Sequence, residues 1–133
     1  MERGTVAINN KVFTVLLAIS ETEQARGLMR VAPPVPNMAF IYNAPKITKF
    51  WMSCTPSPLD IVFCHNGMVT QICHGEPFST KLIGADLISD LVIEFPRGVA
   101  ADIKLGDKIS LVKPTISELQ KLIAEKYHKF VKF

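Results

Sequence analysis

With 133 residues, 48% of them hydrophobic and 20% charged, the chain suits one domain with one core and is too apolar for disorder. A net charge of +3 makes no electrostatic case for nucleic acid, and no apolar run approaches the roughly 20 residues of a membrane span. Three cysteines cannot all pair, and no signal peptide is visible ahead of Val6, so free thiols and a cytoplasmic location are expected.

Val6 to Ile8 and Val12 to Ile19 read as strands around Asn9-Asn10, a turn pair that tolerates positive φ. Ser20-Glu21-Thr22-Glu23 is a capping box that opens a short helix through Ala25 and Leu28, ended by Gly27 and the run Pro33-Pro34-Val35-Pro36-Asn37. Met38 to Tyr42 is a strand, Asn43-Ala44-Pro45 a break, and Lys49 to Met52 another strand. Leu59 to His65, Asn66-Gly67 and Met68 to His74 form the clearest hairpin. Pro77 to Ser89 reads as loop, and Leu91 to Phe95 as a strand stopped by Pro96-Arg97-Gly98. Val99 to Ile103 has room for one helical turn, and Lys108 to Val112 is the last strand. Thr115 and Glu118 form a second capping box, opening a helix with Ile116, Leu119, Leu122, Ile123, Tyr127 and Phe130 on one face.

The fold class that follows is mostly β (α+β), a small barrel-like or two-sheet antiparallel core with one short helix after the second strand and one C-terminal amphipathic helix. Residues 1–114 form the β-rich domain. Residues 115–133 are a helical extension packed on it or on a partner, and a homo-oligomer would use Leu119, Ile123, Tyr127 and Phe130.

The stretch from Phe50 to Asp60 holds the only tryptophan, two prolines and a carboxylate heading an apolar run, so any chemistry is expected there. A two-residue turn at Asn66-Gly67 sets Cys64 against Val69 and Cys73 against Asp60. Cys64 and Cys73 are then roughly 13 Å apart, at about 3.3 Å per residue, beyond disulfide or shared-metal reach. Each adjacent His faces away from its Cys, and no metal or cofactor is expected. In this register Asp60, Val62, Cys64, Val69, Gln71 and Cys73 share one face, and Ile61, Phe63, Met68 and Ile72 the other. Trp51, Thr55, Asp60, Gln71 and Cys73 then line one concavity, an aromatic plane beside hydrogen-bonding groups. The competing reading has Asp60 capping the turn from Thr55 to Pro58 while Trp51 fills core. Alternation along Leu91-Val92-Ile93-Glu94-Phe95 sends Glu94 outward; were it to converge with Asp60, the two would make an acid/base pair. Cys54 is a potential nucleophile with no histidine near it in sequence. Glycine-rich phosphate loops, nucleophile elbows and paired-histidine zinc motifs do not occur.

Several motifs in order carry a resemblance. They are Gln24-Ala25-Arg26-Gly27-Leu28-Met29, Met38-Ala39-Phe40, Phe50-Trp51-Met52 with Thr55, Pro58-Leu59-Asp60, the Asn66-Gly67 hairpin, Glu94 with Gly98, and Ile103-Lys104-Leu105-Gly106-Asp107. From about Val6 to Val112 the chain resembles DUF192, an uncharacterised family found in bacteria, archaea and some of their viruses. The resemblance implies a compact barrel-like fold and no established activity. Cys54 stands where the family usually has Asn, Asn37 where it has Gly, and Arg97 where it has a small residue. The leading expectation is a non-catalytic binding or interaction module using Trp51, Thr55 and Asp60. The alternatives are a small hydrolase using Asp60 with Glu94 or a His, and a viral or other assembly protein joined through the terminal helix.

Overall fold

A computed structural model describes residues 1–128. They form β1 (Glu2–Ile8), β2 (Lys11–Ala18), α1 (Glu21–Arg26), β3 (Met38–Ile47), β4 (Leu59–His65), β5 (Met68–Gly75), β6 (Ile88–Pro96), β7 (Ile109–Lys113) and α2 (Ile116–His128). The strands make one seven-stranded sheet in the order β5-β4-β6-β3-β2-β1-β7. One sheet curled into a half-barrel, not two stacked sheets, is therefore the architecture. Its two ends meet at one corner, where Val69 N donates to Asp107 O at 2.9 Å and Ile109 N to Gly67 O at 2.9 Å. All pairings are antiparallel except β2 with β3, which run parallel over Leu16–Met38 to Ala18–Phe40. Parallel neighbours need a long crossover, and residues 19–37, carrying α1, supply it.

Both faces of the central strands are buried. Val6, Leu17, Ile41, Val62, Cys64, Val69, Ile93, Phe95 and Ile109 form the inner core, to which all seven strands contribute. Met38, Phe40, Met52, Leu59, Ile61, Phe63 and Val92 form an outer core, closed by Leu28, Val35 and the segment around Phe50. Near-continuous apolar runs such as Asp60-Ile61-Val62-Phe63-Cys64 mark strands buried on both sides, and simple alternation misreads them.

Three local expectations change. Residues 49–52 are not a strand; only Phe50 bridges, to Ile83. β3 continues through Asn43-Ala44-Pro45 to Ile47, with its register against β6 shifting between Ile41 and Lys46. Residues 99–103 make successive turns, Val99 N to Pro96 O at 3.1 Å and Ile103 N to Ala100 O at 3.1 Å, and no helix.

Both capping boxes form. Ser20 accepts from Glu23 N while Glu23 Oε1 accepts from Ser20 N, and Thr115 and Glu118 repeat the exchange. Leu119, Leu122 and Ile123 of α2 pack on the inner core, so that part of the stripe is used within the molecule. The side chain of Tyr127 and all of Phe130 lie outside the described residues. Lys126 Nζ reaches Glu23 Oε2 at 2.7 Å, tying α2 to α1. Among the described residues, no helix is long and apolar enough to cross a membrane.

Candidate functional site

A hollow of about 380 Å³ opens where β2 and β3 part company, walled by α1, the end of β3 and the segment carrying Trp51. Past Ala18 and Phe40 the β2–β3 ladder stops, leaving carbonyls without partners. The Gln24 side-chain amide takes over, donating to Ala18 O at 3.1 Å and Ile41 O at 2.8 Å. This fixes α1 across the gap and puts Gln24, Arg26 and Gly27 on the wall. Gly27 ends α1 with φ +52, and a Cβ there would lie 3.4 Å from Phe40 and 3.7 Å from Glu94 Oε1. Those contacts are ordinary, so what calls for glycine there is the backbone, φ +52 with ψ −131.

Glu94 lies on β6 between Met38 of β3 and Ile61 of β4 and is 4% exposed. The alternation predicted for β6 holds, with Ile93 and Phe95 in the inner core. The opposite face, expected to meet solvent, meets the outer core and the hollow instead. Among the described residues, Oε1 of Glu94 has no hydrogen-bond partner. Burial pushes its carboxyl up to about 8, so it is largely protonated at neutral pH. Tyr42, on the same wall, is also raised, first by burial and then by the nearby Glu94.

Trp51 stands at the mouth. Phe50 and Met52 pack into the outer core, while Trp51 between them turns away and stays 50% exposed. Its strand-like stretch is held by Phe50 N to Ile83 O at 2.9 Å and Met52 N to Ser79 O at 3.0 Å. Thr55, buried, completes this wall and donates to Ser53 O at 3.2 Å. Arg26, Lys46 and Lys49 supply positive charge. Lys49 is engaged with Asp86 at 2.9 Å and Gly84 O at 2.7 Å, and Lys46 lies 4.9 Å from the centre of the Tyr42 ring.

The geometry separates the five residues expected to share a concavity. Trp51 and Thr55 line the hollow, and Asp60, Gln71 and Cys73 do not. Asp60 faces the inner core with Phe95, away from the hollow, and a β-bulge takes Gln71 and Cys73 off its face. Cys64 pairs with Val69 as expected, but Phe63 then pairs with Gln71, leaving Thr70 as an extra residue. Past that point every β5 side chain changes face. Cys73, opposite Ile61, joins the outer core, and Ile72 joins the inner core. Gln71 accepts from Ala85 N at 3.0 Å and approaches Cys73 Sγ at 3.2 Å, pinning the loop before β6.

Asp60 lies opposite His74, not Cys73. It is a structural cap, though for a different turn from the one expected. Oδ2 accepts from Gly98 N at 3.0 Å, Oδ1 pairs with His74 Nδ1 at 2.6 Å, and Arg97 Nε is 3.7 Å away. Arg97 also bonds Glu76 at 2.9 Å and Gly75 O at 3.0 Å, so the departure at this position gains a clamp. Asp60 shares the face of Phe95, whereas Glu94 shares the face of Ile61. The two carboxyls point to opposite sides of the sheet and form no acid/base pair. Cys64 is buried in the inner core and Cys73 packs on the outer one, which places the two thiols on opposite faces. Cys54 lies in the turn before Thr55, outside the hollow's lining.

Gln24, Arg26, Gly27, Tyr42, Lys46 and Lys49 also line the hollow, and composition and spacing alone do not mark them as a site. The signal was present in Gln24 to Met29. A helix of only six residues that ends in a left-handed glycine has little apolar surface to contribute, so its polar residues are there for another purpose.

A family model described as Uncharacterized ACR (DUF192) matches residues 4–111, and the chain belongs to this family. No curated protein matches it. Among solved structures, a protein of unknown function from Novosphingobium aromaticivorans is 32% identical, with TM-score 0.75, covering 81% of this chain and 84% of that one. A Sinorhizobium meliloti protein described as a candidate transcription regulator is 24% identical, with TM-score 0.75 over 83% of this chain and 94% of its own, and shares the fold. Gln24 to Met29, Phe40, Trp51, Thr55 and Glu94, all among the motifs that carry the family resemblance, converge on the hollow from distant parts of the sequence.

Proposed function

We propose that this protein is a non-catalytic binding module whose small-molecule site is the hollow between Glu94 and Trp51. One observation carries the reading: a deeply buried carboxyl with an unpartnered oxygen lines a hollow whose mouth is a half-exposed indole. Buried polar atoms are nearly always satisfied, and leaving one unpaired costs about 1–3 kcal/mol. A ligand that supplies the missing partner would recover that cost on binding. The volume, about 380 Å³, falls within the range of small-ligand pockets. Asp60 belongs to the fold and not to this site, because its oxygens are spent on Gly98, His74 and Arg97.

A thermal-shift screen against small metabolites tests the reading. A binding compound raises the melting temperature, since ligand held only by the folded state stabilises it. Trp51→Ala is expected to abolish that rise, and Gln71→Ala, outside the hollow, to preserve it. A rise that survives Trp51→Ala and Glu94→Gln alike would place the ligand elsewhere.

A further inference from the structure

We propose that the hollow takes a small zwitterion, with an N–H-bearing ammonium directed at Glu94 and a carboxylate at Arg26; this deepens the binding reading and rests on it. The floor needs a donor. Glu94 Oε1 is buried and unpartnered, and an ammonium supplies strong, charge-assisted N–H groups. The walls favour a cation too. Lys46 already places its ammonium 4.9 Å from the Tyr42 ring centre, and Trp51 offers a second, half-exposed aromatic surface.

A simple cation is repelled by Arg26, Lys46 and Lys49, which line the same hollow. Lys49 is committed to Asp86 and Lys46 to Tyr42. Arg26 is exposed and enters no ion pair among the described residues, so its fork is available to a carboxylate. A simple dianion satisfies Arg26 and can accept the one proton of a protonated Glu94, but it leaves the other carboxyl oxygen without a donor. A quaternary ammonium has no N–H and leaves Oε1 unpaired. An amino carboxylate meets both ends.

The proposal has a proton signature. Among the described residues, Glu94 is the one carboxyl lining the hollow, which it shares with Arg26, Tyr42, Lys46 and Lys49. An ammonium beside it favours the carboxylate, so binding expels the carboxyl proton to the buffer. With the free carboxyl raised above neutrality, binding at pH 7 releases protons to the buffer.

Calorimetry at pH 7 in two buffers of different ionisation enthalpy decides it. The probes are a set of amino acids including γ-aminobutyrate, their N-acetyl derivatives, glycine betaine and succinate. Expected are binding of at least one amino acid with proton release, and more than tenfold weakening on N-acetylation. Glu94→Gln should remove the proton release and weaken the same ligand more than tenfold; Arg26→Gln should weaken it and spare the release. If Glu94→Gln does not fold, the comparison of free with N-acetylated ligand on the parent protein still decides. N-acetyl derivatives or succinate binding as tightly, with no proton released, would overturn the zwitterion and leave a ligand site standing. Silence from every amino acid overturns the proposal, and silence across the wider metabolite screen removes the site as well.

Discussion

Cys54 occupies a backbone conformation that its side chain does not favour. Thr55 N donates to Met52 O at 3.0 Å, closing a four-residue turn in which Cys54 is third, with φ +56. A positive φ at that position belongs to Gly or Asn, and the thiol's local hydrogen bond is a long one, accepted from Ser53 Oγ at 3.9 Å. The family usually has Asn here, so the departure is a strained substitution. Cys54→Asn is expected to stabilise the protein by about 0.5–1 kcal/mol, read as a higher urea midpoint with unchanged slope. A lower midpoint would show that the thiol makes a contact worth more than the strain. Turn chemistry of this kind is legible in sequence, as Asn66-Gly67 also shows. The facing of Glu94 was not. Period-2 alternation separates the two sides of β6, but it does not say whether the second side meets water or another core. Nor does sequence reveal Thr70 as a bulge, and that one residue sends Gln71 and Cys73 away from Asp60.

At the scale of elements, α1 is too short to hold itself, and Glu23 joins it to its surroundings. The Glu23 carboxylate accepts from Ile19 N at 3.1 Å and Ser20 N at 3.0 Å, and pairs with Lys126 at 2.7 Å. Partial burial works against its charge, but the Lys126 hydrogen bond and the two amides outweigh it and hold the group down at about 2. A carboxyl lowered in the folded state stabilises above its ordinary value of 4.5, and the contribution disappears as pH falls through about 2. Screening by nearby solvent limits the ion pair itself to about 1 kcal/mol. Lys126→Met is therefore expected to cost about 1 kcal/mol and to speed amide hydrogen exchange in α2 more than in the central strands. Uniform acceleration across the sheet would mean that α2 is not a separately docked element. Both capping boxes could be read directly from Ser20-x-x-Glu23 and Thr115-x-x-Glu118. The Glu23–Lys126 pair could not, because nothing in a sequence joins residues that far apart.

Over the whole molecule, the barrel-like class was legible from many short strands and the turn signals at Asn9-Asn10 and Asn66-Gly67, and the parallel β2–β3 pair was not. The opening of that pair creates the hollow, so the site was hidden for the same reason as the topology. Glu94 makes this arrangement felt in global stability. Its folded form keeps a proton up to about 8, whereas an unfolded carboxyl loses it near 4.5. Between those values the folded state binds more protons, and stability falls as pH rises, by at most about 1.4 kcal/mol per unit for one group. The contribution is complete below about 4.5 and lost as pH climbs through about 8. Glu94→Gln should flatten the melting temperature between pH 5 and 9 and exceed the parent at pH 9. A parent profile already flat across that window would show that the carboxyl is ionised and solvated. The pairing of β1 with β7 has a further consequence. Of the seven strands of this sheet, β1 is made first and waits for β7, and its ladder partner beyond β2 does not exist until Lys113 has been added. The nascent chain must keep its apolar strands from strangers until β7 has emerged, and only then can the sheet close.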